Sequence, residues 1–94
     1  MKVQWSHRAF LDLEALLEFI AMDNPGAARR LHGKVFRRTD QLERFPELGP
    51  LSKEAGEPFR EVLVKPLRIL YLQEDANLTI VAVFREEADL RADP

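Results

Sequence analysis

Four basic residues stand where β-forming sequence ordinarily keeps charge out. Arg60, Lys65 and Arg68 interrupt the run Phe59-Arg60-Glu61-Val62-Leu63-Val64-Lys65-Pro66-Leu67-Arg68-Ile69-Leu70-Tyr71, and Arg85 ends the apolar run Ile80–Phe84. A charge in a half-buried strand is costly unless something pairs with it. On adjacent antiparallel strands such positions can converge on one sheet face, where they would draw a phosphate backbone or an acidic partner segment. Arg60, Lys65, Arg68 and Arg85 are therefore the candidate nucleic-acid or partner-binding residues. The plainer alternative pairs Arg60 with a helix carboxylate and leaves the others rimming the sheet in water.

Other chemistry is scarce. His7 and His32 have no cysteine to join, and their carboxylate neighbours lack metal-ligand spacing. Ser6 and Ser52 sit in no Gly-x-Ser-x-Gly context. Gly26, Gly33, Gly49 and Gly56 are too scattered to cradle a phosphate. No catalytic residue, metal site or cofactor is expected. Trp5 and Tyr71 read as core-edge aromatics with polar handles. Phe36 and Leu51 fall off the main apolar pattern and are candidates for exposed partner contacts.

Charge is unevenly spread. Residues 25–45 hold six basic groups (Arg29, Arg30, Lys34, Arg37, Arg38, Arg44) against Asp40 and Glu43, a local excess of +4 in a chain whose net charge is −2. The tail 86–94 is acidic, with Glu86, Glu87, Asp89 and Asp93 against Arg91. Taken singly, the helix cations read as a solvated face.

The elements that must position these residues follow from pattern and punctuation. Val3-Gln4-Trp5 is a short strand. Ser6 offers an N-cap oxygen, and Phe10, Leu13, Leu16, Leu17 and Ile20 mark a helix to Ala21 or Met22. Asn24-Pro25 opens a second helix, with Ala28, Leu31, Val35, Leu42 and Phe45 as its stripe. Its expected end is just before Pro46, because a proline disfavours helix in the residue preceding it. The stretch Pro46–Pro58 is a loop. Three strand runs follow: Phe59–Val64, Arg68–Leu72 and Leu78–Phe84, the last two joined by the turn Glu74–Asn77. Ile80–Val83 is apolar without alternation, as in a central strand covered on both faces. The tail Glu86–Pro94 is read as a fraying turn of helix. The expected fold is α+β in one domain, residues 1–94: a short N-terminal strand, an antiparallel helical hairpin, then a three-stranded antiparallel meander, all in one sheet (β-α-α-β-β-β). A chain with no cysteine, no signal-peptide pattern and no membrane-length apolar run is expected in the cytoplasm.

Certain residues in this order also carry a likeness. They are Trp5-Ser6, Ala9, Asp12-Leu13 and Ile20; then Asn24-Pro25, Ala27-Ala28, Leu42, Phe45-Pro46 and Gly49. The series continues through Arg60-Glu61, Val64, Pro66 and Arg68-Ile69-Leu70-Tyr71 to the strand Ile80–Phe84. In this pattern the chain resembles the ParE/RelE toxin superfamily of type II toxin–antitoxin systems, nearest its ParE branch. The resemblance implies a toxin neutralised in a hetero-oligomer by a cognate, ParD-like antitoxin with a flexible C-terminal segment. ParE-type members inhibit DNA gyrase through protein contacts. RelE-type members, the alternative, cleave messenger RNA on the ribosome, using basic residues on the sheet and an aromatic or histidine near the C-terminus. Arg68 and Arg85 match basic positions of that pattern, and Lys65 is a further candidate. No tyrosine or histidine follows Arg85, so the resemblance implies gyrase inhibition and a toxin that is not an enzyme.

Overall fold

A computed structural model of the chain describes residues 1–86; the expected C-terminal helical turn lies beyond them. The elements run β1 (Lys2–Trp5), α1 (His7–Asp23), α2 (Pro25–Gln41), β2 (Arg60–Val64), β3 (Leu67–Glu74) and β4 (Asn77–Arg85). One four-stranded sheet forms in the order β1-β4-β3-β2. The meander β2–β3–β4 is antiparallel as expected, and β1 lies parallel to β4, so the sheet is mixed.

Local chemistry explains the helix boundaries. Ser6 Oγ accepts from the amide of Ala9 and starts α1. Asn24 alone joins the helices. Its amide donates to the Ile20 carbonyl while its side chain accepts from the Ala27 amide, and Pro25 fills the first turn. The hairpin is as tight as one residue allows.

α2 ends earlier than the stripe suggests. It stops at Gln41, and Leu42 reaches the core as the first residue of the turn that follows. Phe45 was expected inside the helix but lies outside it, 60% exposed. The buried series is Ala28, Leu31, Val35, Thr39 and Leu42, whose spacing runs out at Leu42. In α1 the buried face is rotated toward Ala9 and Leu13, leaving Phe10 half-exposed.

The helices cover one face of the sheet, against Val62, Val64, Leu67, Ile69, Tyr71, Leu78, Ile80 and Val83. The lack of alternation in β4 has two causes. Ala82 and its partner Leu70 are buried on the face away from the helices, as expected of a strand covered on both faces, and a bulge adds to it. Pairing with β3 shifts register between Leu70 and Tyr71: Tyr71 opposes Ile80, Leu70 opposes Ala82, and Val81 is the extra residue. This bulge brings both Ile80 and Val83 to the helix side, three residues apart.

Beyond Ile80 the outer edge of β4 has no strand, because β1 has ended. α1 takes over there. Ser6 Oγ donates to the Val81 carbonyl, and Asp12 accepts from the Val83 amide, each at 3.0 Å. Phe36 is half-buried, stacked between Trp5 (5.2 Å between ring centroids) and His32 (4.8 Å), so it is no exposed contact. Leu51, by contrast, is exposed.

Candidate partner-binding surface

The four candidate cations do not share a face. Arg60 begins β2 and turns toward the loop, donating to the Gly49 carbonyl at 2.7 Å. That bond holds the loop between α2 and β2 in place, and it replaces the helix carboxylate considered for this residue. The same loop is held by Tyr71, whose hydroxyl donates to the Pro46 carbonyl at 2.8 Å and accepts from the Gly49 amide at 2.9 Å. Gly49 itself passes so close to β2 that a Cβ would collide with the Glu61 carbonyl.

Arg68 lies on the face away from the helices. It is ion-paired to Glu54 at 3.1 Å and Glu61 at 3.4 Å, and it lies over the Phe84 ring at 5.4 Å. Glu61 is fixed in turn by Ser52 Oγ, which donates to it at 3.0 Å. The bond to Glu54 raises the Arg68 pKa above its already high ordinary value against the opposing effect of partial burial, with Glu61 adding to the rise. Arg68 is therefore a fixed cation and not a source of protons.

Lys65 and Arg85 do come together. Lys65 sits in the tight turn between β2 and β3, and Arg85 ends β4 opposite Leu67, the first residue of β3. Both line a cleft of about 350 Å³ with Ile20, Ala27, Arg30, Leu31, Lys34 and Pro66. The Glu86 amide donates to the Pro66 carbonyl at its rim. A second cleft of about 450 Å³ lies alongside, lined by Lys34, Arg37, Arg38, Gln41, Leu63, Val64 and Lys65. Lys34 and Lys65 belong to both, so the two clefts form one trough. Among the described residues, six cations line it and no carboxylate does.

The α2 contribution to this trough was missed in the sequence, where those cations read as solvated. The signal was present in their spacing. Arg30, Lys34, Arg37 and Arg38 recur at intervals of three and four residues, which places them on one helix face. What the sequence lacks is the placement of Lys65 and Arg85 beside that face.

Leu63 in the second cleft is 42% exposed, and on α1 Phe19 and Met22 are 63% and 84% exposed, with the Arg85 guanidinium 6.0 Å from the Phe19 ring. His7 and His32 are both exposed, and no group of three or more potential metal ligands occurs among the described residues. Nor is any helix there long and apolar enough to cross a membrane.

Comparison with known proteins accords with this architecture. A curated relative, the toxin RelE2 of Caulobacter vibrioides, is 35% identical over 83 residues, spanning 87% of this chain and 91% of that protein. The solved chromosomal ParDE TA system from P. aeruginosa shares the fold, with a TM-score of 0.80 at 17% identity, covering 93% of this chain and 97% of that one. Residues 3–90 match the family described as the ParE toxin of type II toxin–antitoxin system, parDE. With a match over nearly its whole length and a fold to go with it, the chain belongs to the ParE toxin family.

Proposed function

We propose that this toxin acts in the cytoplasm by binding DNA gyrase, without catalysis of its own, and that a cognate antitoxin holds it inactive in a hetero-oligomer. The observation that carries this reading is the separation of the four cations. Cleavage of RNA needs a base near the 2′-hydroxyl and an acid near the leaving oxygen, both within hydrogen-bond reach. Arg60 is engaged with a loop carbonyl and Arg68 with two carboxylates, leaving only Lys65 and Arg85 side by side. Beyond Arg85 the sequence offers no tyrosine or histidine. A surface that presents charge without acid–base groups suits binding to a protein.

Purified toxin, freed of antitoxin, is expected to block gyrase supercoiling of relaxed plasmid at micromolar concentration. Undiminished supercoiling at that level overturns the proposal.

A second reading has one observation in its favour: the 35% identical relative bears the name RelE2. On that reading the toxin cuts messenger RNA on the ribosome, using Lys65, Arg68 and Arg85. Toeprinting on translating ribosomes separates the two. Cleavage in the ribosomal A site that disappears in Arg68→Ala makes the second reading correct; an intact message supports the first.

A further inference from the structure

The loop between α2 and β2 carries a surface of a different kind, at the end of the sheet away from the trough. β3 runs from Leu67, opposite Arg85, to Glu74, opposite Asn77. Seven steps of about 3.3 Å set those two ends about 23 Å apart. Screening at 0.1 M salt acts over about 10 Å, so the loop end answers to its own charges.

Phe45, Leu48 and Leu51 follow one another there at intervals of three residues. They are 60%, 43% and 44% exposed, and none of them packs against the core. Their backbone is nevertheless tied down from both sides. To the bonds from Tyr71 and Arg60 are added those from the Phe45 amide to the Gln41 carbonyl (2.9 Å), the Leu48 amide to the Phe45 carbonyl (3.0 Å) and the Glu61 amide to the Pro50 carbonyl (3.0 Å). A loop held in this way keeps large apolar side chains in water at a cost that grows with their area. It also has little backbone freedom left to lose when a partner covers them.

The surroundings of these side chains are acidic. Phe45 and Leu48 line a cleft of about 570 Å³ with Arg44, Pro46 and Glu47. Leu51 lines another of about 600 Å³, where Glu47, Glu57 and Asp75 face a single cation, Arg60. Glu47 belongs to both, so the two clefts adjoin. Arg60 is turned to the Gly49 carbonyl, and among the described residues Glu47, Glu57 and Asp75 take part in no ion pair. Such a rim repels a phosphate backbone or an anionic lipid surface and draws cations.

We propose that the face formed by Phe45, Leu48 and Leu51 docks a basic segment of a partner protein that carries large apolar side chains. The apolar groups of that segment settle on the three exposed side chains, and its lysines or arginines meet Glu47, Glu57 and Asp75. The inference rests on the preceding reading only for the segment's donor, which there is the target, gyrase.

The test is a fluorescence-anisotropy titration of the whole chain with three labelled probes. One is a short peptide alternating Lys and Leu; the second has Gln for Lys; the third is a single-stranded oligothymidylate of matched length. The Lys–Leu peptide is expected to bind at least about tenfold more tightly than either of the others. Phe45→Ser and Glu47→Lys should each weaken it by about tenfold. Glu14→Gln on α1 and Lys34→Glu in the trough, both exposed changes away from the loop, should leave it unaltered, and unchanged circular dichroism melts confirm that the variants fold. Equal binding of the Gln–Leu peptide, or indifference to Phe45→Ser and Glu47→Lys, overturns the proposal. So does an equal loss in Glu14→Gln, which marks attraction to acidic groups anywhere on the chain. Tighter binding of the oligonucleotide, lost in Phe45→Ser, overturns it in favour of a nucleic-acid surface. None of these readouts involves gyrase, so failure here is distinct from failure of the supercoiling assay.

Discussion

Tyr71 illustrates how a single hydroxyl can secure a whole loop. Fully buried, it both donates and accepts a hydrogen bond, and the two partners, Pro46 and Gly49, belong to the same turn of chain. Tyr71→Phe keeps the ring and strands a buried amide and carbonyl, so a loss of about 1–3 kcal/mol is expected in urea denaturation. Burial raises the phenol above its ordinary value of 10.0, with the Gly49 bond and Arg60 opposing. The native state thus holds this proton more tightly than the unfolded chain does. The resulting stability is complete below pH 10 and drains away as pH rises beyond it. Urea midpoints of wild type and Tyr71→Phe should therefore keep a constant gap up to about pH 10 and draw together above it; a gap that stays constant to about pH 11 contradicts the assignment. Gly49→Ala acts on the same loop from the other side. Its methyl meets backbone that cannot swing away, so a loss of about 2 kcal/mol or more is expected in the same measurement. Neither role is legible in the sequence, since each depends on a meeting of loop and sheet, across 22 residues for Tyr71 with Gly49 and, for Gly49, with Glu61 of the neighbouring strand.

Among the elements, α1 does the work of a missing strand. By covering the outer edge of β4 where β1 stops, it removes unpaired backbone that would otherwise invite another chain. Ser6→Ala loses both an N-cap and the bond to Val81, so about 1–2 kcal/mol should go. Asp12→Ala should cost about 1–2 kcal/mol by orphaning the Val83 amide. Arg8→Ala, which removes the exposed ion pair with Asp12 and the guanidinium lying 5.6 Å over the Phe84 ring but leaves the Val83 amide bonded, should cost less, at most about 1 kcal/mol. Equal losses in Asp12→Ala and Arg8→Ala would refute this division of roles. The order of elements could be read from the chain because caps and breakers are local: Ser6, Asn24 and Pro25 mark boundaries without reference to anything distant. The end of α2 could not. Leu42 continues the apolar spacing into a turn, and Phe45 extends the pattern with no core left to receive it. The bulge at Val81 was equally hidden, because a run of four apolar residues looks the same whether a strand is covered on both faces or kinked.

Across the whole molecule, charge is sorted rather than balanced. A chain of net charge −2 gathers six cations around one trough. It should bind a sulfonate cation-exchange resin near neutral pH in low salt, despite its overall sign. That retention should fall steeply as ionic strength approaches about 0.1 M, where screening acts over about 10 Å. It should also fall in Lys34→Glu; elution in the void volume at low salt would contradict the arrangement. The basic content of α2 was visible in the sequence, but its meeting with Lys65 and Arg85 was not, because sequence pattern does not say which helix face lies over which end of the sheet. The parallel pairing of β1 with β4 has a further consequence, one of timing. Lys2 pairs with Asn77 and Trp5 with Ile80, so the first strand to leave the ribosome waits for the last. Arg85, which completes the trough, belongs to that same final strand. A nascent toxin therefore has neither a completed sheet nor a finished trough until β4 has emerged from the ribosome.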